Sequence, residues 1–246
     1  TYQLMAILMG LNILLSVFIS SEKPNSNLKK LNYQQSLIEP VRDFFDRFGI
    51  KIASILLLIV ATYRLTDIVM GPMANPFYID MGYSLSEIGY VVKIVALIAT
   101  IIGVFVGGIF IKRLGLYHSL LLGAFLVMVT NLCFSYASIS DKNLFLLASI
   151  VASDSFAAGI VGTVNITFLT SLVSKKYPGF QYALLTSLMA FLGKVFGGFS
   201  GIFVENFQLI YGFNYGWMSF YIFTSMLAIP AIIMIFLNKN FFLSQR

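Results

Sequence analysis

The chain has 246 residues, of which 59% are hydrophobic and 11% charged, with a formal net charge of +6. A water-soluble domain carries about 25% charged residues, so this composition excludes a soluble enzyme or binding module and points to an integral membrane protein. A single Cys and a single His exclude an intrachain disulfide and a cysteine metal cluster, and no Gly-rich phosphate loop follows a strand.

Apolar stretches of roughly the 20 residues that cross a bilayer occur at 2–20, 52–70, 86–111, 117–138, 144–173, 182–204 and 217–237. The sequence therefore predicts an all-α membrane protein of about seven transmembrane helices. Of the 16 Lys and Arg, twelve fall in alternate loops: Lys23, Lys29, Lys30, Arg42, Arg47 and Lys51, then Lys112 and Arg113, Lys175 and Lys176, and Lys239 and Arg246. The intervening loops hold Asp80, Asp141 and Glu205 with one basic residue, Lys142. Basic loops stay in the cytoplasm, which places the N-terminus outside and the C-terminus inside. The same bias accounts for nearly all of the net charge, so no nucleic-acid partner is expected.

The first helix, 1–20, stands apart. Residues 21–51 form the longest polar segment and read as a cytoplasmic linker. Ser36 and Glu39 have capping-box spacing, Pro40 suits a first helical turn, and Val41, Phe44, Phe45 and Phe48 recur with helical period. This amphipathic helix is expected either to lie on the membrane surface or to pack its phenylalanines on the bundle. Six helices with short connections follow over 52–238, and 239–246 is a cytoplasmic tail. Many secondary transporters join two six-helix halves by a long cytoplasmic loop. One helix, a long loop and six helices match the end of a first half followed by a second half. The chain starts on Thr1 and enters a span at once without a signal-peptide pattern, so it reads as truncated or processed.

In the second span, Arg64 and Asp67 are three residues apart on one helical face, where an ion pair is feasible. Thr66 and the Gly71-Pro72 break lie close by. The third span opens with a second capping box, Ser84 and Glu87. Along it Lys93, Leu97, Thr100, Gly103 and Gly107 fall near one face, so Lys93 is expected to face protein or a cavity unless it snorkels to the interface. Cys133, in the fourth span, reads as a small buried apolar residue. His118 reads as an interfacial histidine near Arg113, not as half of a Ser–His pair. No catalytic residue, cofactor or metal is expected.

The fifth span is the most polar. Asp154, Ala158, Gly162 and Asn165 line one face, and a partly desolvated Asp154 is a candidate to exchange a proton near neutral pH. Asn165 also begins a glycosylation sequon, which is discarded because it lies within a span. In the sixth span Gly193, Gly197 and Gly201 form a small-residue stripe. Ser187, Ala190, Lys194 and Gly197 share a face, so the Lys194 ammonium is expected to point into the bundle, with Asp67 or Asp154 as conceivable partners. Charges at such depth cost at least ~2.5–3.5 kcal/mol each, which marks a polar pathway or a structural ion pair.

Gly108, Lys112, Arg113 and Gly115 close the third span in a degenerate form of the major facilitator signature, with Lys112 in place of its Asp. More specific are Tyr63-Arg64-Leu65-Thr66-Asp67, Phe77-Tyr78-Ile79-Asp80-Met81-Gly82-Tyr83-Ser84, Glu87-Ile88-Gly89 and Val92-Lys93. Further on come Phe180-Gln181-Tyr182-Ala183-Leu184-Leu185 and Gly193-Lys194-Val195-Phe196-Gly197-Gly198. Over roughly 52–237 this text resembles the AmpG-type anhydromuropeptide permeases of the major facilitator superfamily, and more distantly the acetyl-CoA transporters of the endoplasmic reticulum.

The resemblance implies a secondary transporter of the bacterial inner membrane that imports sugar-linked cell-wall peptides, with protons as the coupling ion. On that expectation Arg64, Lys93 and Lys194 attract substrate carboxylates, Asp67 or Asp154 carries the proton, and Asn165 lies on the path. The partners are then membrane lipid, a small sugar-peptide, protons, and either the missing N-terminal half or a second chain. An inactive remnant of a split transporter gene is the alternative. A seven-helix receptor, suggested by helix number and an outside N-terminus, fits less well because the last span lacks a lysine to hold retinal.

Overall fold

The computed structural model describes residues 2–19 and 33–244, and within them every element is helical. Lys23, Lys29, Lys30 and Arg246 of the basic-loop pattern, and the side chain of Ser36, lie outside the described residues. The chain divides into two compact units, Thr1–Glu39 and Pro40–Arg246.

In the first unit, α1 (Tyr2–Ile19) is an 18-residue apolar helix whose Met5, Ile7, Leu8 and Met9 are exposed. At 1.5 Å per residue it is about 27 Å long, close to the hydrocarbon thickness of a bilayer.

The second unit contains runs long and apolar enough to cross a membrane at Leu37–Asp80, Leu85–Ala137, Leu144–Leu172, Pro178–Tyr211 and Phe213–Leu237. The 53-residue run Leu85–Ala137 amounts to about 80 Å of helix, more than twice a ~30 Å hydrocarbon core. It comprises α4 (Leu85–Tyr90), a π-helical turn at Val91–Val95, and α5 (Ala96–Ala137), which breaks at Gly115 with φ 78° and ψ 167°. That backbone conformation is open to glycine and strained for other residues.

The chain reverses at Gly115, as its packing on α6 (Leu144–Leu172) demonstrates. Before the break, Gly103 lies against Phe156 and Gly159 and Gly107 against Ile160, so the two helices run in the same direction. After it, Gly123 lies against Val161 and Thr130 against Asp154, so they run in opposite directions. Two passes in this run bring the second unit to six, and with α1 these correspond to the seven spans read from the sequence.

Several boundaries differ from the sequence expectation. Helix α2 (Tyr33–Thr62) begins ahead of Ser36, carries Pro40 inside it, and bends at Gly49, φ 71°. Phe44 is buried, and Phe44, Phe45 and Phe48 join the apolar core together with Phe241 and Phe242. Of the two placements open to this amphipathic segment, packing on the bundle is the one observed. The following pass does not end at the Gly71-Pro72 pair. It breaks earlier, at Tyr63-Arg64, and α3 (Leu65–Asp80) continues through Pro72 and Pro76. Proline removes the N–H that would bond four residues back, which at Pro72 frees the carbonyl of Ile68. That carbonyl faces Gly197, where a Cβ would lie 2.9 Å away, and the neighbouring Val69 carbonyl accepts a 2.6 Å hydrogen bond from Ser200 Oγ. Small residues thus let the next pass, α7 (Pro178–Gly198) and α8 (Ser200–Tyr211), approach the opened backbone. The last pass is α9 (Phe213–Met226) and α10 (Ile229–Leu237), followed by the short α11 (Lys239–Ser244).

Both ends of the unit are tied by polar contacts. At one end, buried Gln181 accepts from Arg47 (2.9 Å) and from the backbone N–H of Ser174 (2.7 Å), and donates to Pro40 O (2.8 Å) and Asp43 (3.0 Å). At the other end, Ser84 and Glu87 form the expected capping box, and Lys142 reaches Glu87 at 3.0 Å. His118 is exposed, as expected for an interfacial histidine. Cys133 is partly exposed, not buried, because it lines an open groove between α5 and α6.

Candidate functional site

Two apolar clusters fill the second unit, and a polar layer separates them. In α3 and the turn before it, Tyr63 belongs to one cluster, Met70 to the other, and Arg64, Thr66 and Asp67 lie between. The same order holds in α5 (Val127, then Thr130 and Asn131, then Phe134), in α6 (Val151, Asp154, Ala157), and in α9–α10 (Tyr221, then Thr224 and Ser225, then Ala231). Four passes therefore place polar side chains at one depth, about midway between their ends.

Arg64 and Asp67 meet within this layer. Arg64 precedes α3 and Asp67 sits in its first turn, which puts the guanidinium and carboxylate side by side at 3.5 Å, with side chains 32% and 17% exposed. The contact is an ion pair without hydrogen-bond geometry, and Arg64 Nε, Asp67 Oδ2 and Thr66 Oγ1 have no hydrogen-bond partner among the described residues. Asp154 accepts from Thr130 Oγ1 at 3.2 Å. It has no ion pair among the described residues, while the charge of Asp67 acts on it and its own charge acts on Tyr78 and Tyr221. Asp67 thus has the Arg64 guanidinium beside it, whereas Asp154 has the Thr130 hydroxyl and no cation among the described residues. A carboxylate with a hydroxyl and no cation beside it can take up and release a proton.

Behind Asp154 the layer continues into α9. Asn131 Nδ2 donates to Val127 O (2.9 Å) and its Oδ1 accepts from Thr224 Oγ1 (2.7 Å). Tyr63 OH donates to Leu120 O at 3.3 Å. Sequence reasoning missed Thr130, Asn131, Thr224 and Tyr221. The available signal was polar pairs within apolar runs, Thr130-Asn131 and Thr224-Ser225.

The remaining candidates are placed differently. Lys194 lies at the depth of the layer but is exposed, contrary to the expectation that it points into the bundle. The covered stripe of α7 is Gln181, Leu185 and Gly193, with Gly193 against Ile68, and Lys194 is one residue around the helix, about 100° away. Lys93 and Leu97 are exposed as well, whereas Gly103 and Gly107 are buried on α6. Steps of three and four spread these residues over a broad arc, the π turn rotates Lys93 further, and α6 covers just the glycines. Neither lysine has an ion pair among the described residues. Asn165 is buried and its Nδ2 contacts Met189 Sδ at 3.4 Å, leaving Oδ1 without a partner. It shares a face with Asp154 but sits eleven residues further along, about 16 Å, so the two do not form one site. In the signature loop Gly115 makes the reversal, Lys112 and Arg113 are exposed, and Gly108 faces open space.

Residues 1–198 match the profile of the Major Facilitator Superfamily. The chain is 30% identical over 241 residues to the anhydromuropeptide permease of Escherichia coli K12, which covers 97% of this chain and 46% of that protein. It is 32% identical over 211 residues to the Rickettsia felis protein named AmpG 4, covering 85% and 48% of the two chains. With the Rickettsia prowazekii protein named AmpG 1 the identity is 32% over 200 residues, covering 80% and 43%. The chain spans about half the length of these relatives.

Proposed function

The chain belongs to the major facilitator superfamily, and we propose on that premise that it serves proton-coupled import of anhydromuropeptides across the bacterial inner membrane. The observation that carries this reading is its 30% identity to the Escherichia coli permease over 97% of its length. The N-terminus lies outside and the C-terminus in the cytoplasm. Sites in such folds form between halves near the midplane, so a second helical half, from a longer polypeptide or another chain, completes the path.

In this reading the exposed faces of α4–α5 and α7 line that path. An ammonium facing lipid at mid-depth costs several kcal/mol, which favours a polar surrounding for Lys194. Lys194, Lys93 and Arg64 attract the substrate's carboxylates, and the Asp67–Asp154 pair carries the coupling proton, with Arg64 supplying the fixed counter-charge.

The test is uptake of radiolabelled anhydromuropeptide by energised vesicles containing the full-length gene product. Uptake is expected to stop on addition of a protonophore and to fall at least tenfold in D154N and K194A. Uptake that survives the protonophore and both substitutions would remove the reading.

A further inference from the structure

Thr130 Oγ1 lies 3.1 Å from Val127 O on its own helix and 3.2 Å from Asp154 Oδ1 on α6. Both are acceptors when the acid is ionised, yet a hydroxyl has one proton to donate. One proton divided between the two, as Thr224 Oγ1 divides its own between Asn131 Oδ1 and Tyr221 O, leaves each bond weaker than a full one. One proton state of Asp154 gives each bond a proton of its own: a protonated acid donates to Thr130 Oγ1, and Thr130 donates to Val127 O. The ionised acid requires the opposite, with the Thr130 proton turned toward Oδ1.

We propose that Thr130 is the positioning residue for the Asp154 proton, its hydroxyl donating to Asp154 when the acid is ionised and to Val127 O when the acid is protonated and donates to it. The inference rests on the proton role given to Asp154 above. Its balance is simple. A proton from the aqueous phase forms an O–H bond on Asp154 and leaves by breaking that same bond, while Thr130 keeps its own proton and only rotates it.

Three observations make the second position available at little cost. Val127 O also accepts from Asn131 Nδ2 at 2.9 Å, so it keeps a side-chain donor when Thr130 turns away. Asn131 makes no hydrogen bond to the acid among the described residues: its Nδ2 donates to Val127 O and its Oδ1 accepts from Thr224 Oγ1. Thr130 and Asn131 are both buried, so water does not compete for the hydroxyl. The other groups facing Asp154 are Asp67 with its Arg64 from the α3 side, Tyr78 from α3, and Tyr221 from α9. None of them donates a hydrogen bond to the acid among the described residues, so Thr130 is the local donor.

The test is infrared difference spectroscopy of the purified chain across a pH titration, following the carboxylic-acid C=O band that D154N removes. T130S is expected to keep the band position and midpoint. T130V retains the shape but loses the hydroxyl, so the ionised acid loses its donor and the midpoint moves to higher pH by about one unit, the scale of a hydrogen bond to a charged group. The band also moves to higher frequency as the protonated acid loses its acceptor. T130A serves where T130V does not fold. An unchanged band and midpoint in T130V and T130A would overturn the proposal, as would the absence of any Asp154 band in the unaltered chain. A Thr130-dependent titration alongside protonophore-insensitive uptake would leave this proposal standing and remove the transport reading instead.

Discussion

Gly103 and Gly159 face each other where α5 and α6 cross: a Cβ on Gly159 would lie 3.0 Å from the Gly103 carbonyl carbon and 2.9 Å from the Val104 nitrogen. Backbone stands against backbone, so a methyl has no flexible neighbour to displace. Ala at either position gains up to ~1 kcal/mol of helix propensity but forces the helices apart, at about 1–3 kcal/mol for overpacking. G103A and G159A are expected to lower the thermal midpoint in detergent. G108A, which meets nothing within 4 Å, is expected to leave it unchanged or raise it. Size-exclusion profiles after heating would measure all three.

Arg64 is the one cation paired with Asp67, so its loss leaves a carboxylate unpaired in a largely enclosed layer. Breaking a buried pair costs about 3–5 kcal/mol. The partial exposure of both side chains reduces this to roughly 1–3 kcal/mol. R64A is expected to be less stable than R64A/D67N, in which the orphaned charge is gone. A single mutant as stable as the double would contradict the pairing.

Gln181 joins the α2 segment to the α6–α7 turn through four hydrogen bonds. Q181A leaves Arg47, the Ser174 N–H, Pro40 O and Asp43 without that partner, for an expected loss of about 2–4 kcal/mol. Q181E keeps the shape but sets a carboxylate beside Asp43 and against the Pro40 carbonyl, both acceptors. The ionised form repels and the protonated form can donate, so Q181E should be least stable at neutral pH and recover as pH falls. Thermal midpoints at several pH values for both variants would show whether the hub acts this way.

Lys194 touches no acid in the described residues and covers no core. K194A should therefore reduce uptake with the thermal midpoint moved by less than ~0.5 kcal/mol equivalent. A comparable fall in stability would make Lys194 structural.

Much of the fold is legible along the chain. The apolar runs, the Ser84–Glu87 capping box and the i, i+3 spacing of Arg64 and Asp67 depend on local geometry, and each is found in the structure. The break at Tyr63-Arg64 was not legible, because Gly71-Pro72 is the stronger local signal. α3 continues through its prolines where Gly197 and Ser200 of another pass lie close to its backbone, at Ile68 O and Val69 O. The candidate site was legible in residue type more than in assembly. Asp154 stood out, but its partner Thr130 is 24 residues away on a neighbouring pass, and nothing local marks that pairing.

Composition and the spacing of apolar runs by themselves determined that this is a multi-pass helical membrane protein, because hydrocarbon imposes length and hydrophobicity on any helix that crosses it. They also picked out the ionisable residues that such a solvent makes expensive. Only the tertiary structure decided where those charges point. Asp67 and Asp154 turn into a shared layer between two apolar clusters, while Lys93 and Lys194 turn outward. The reason is rotational: about 100° per residue separates a covered face from an open one, and which face is covered depends on the neighbouring helices.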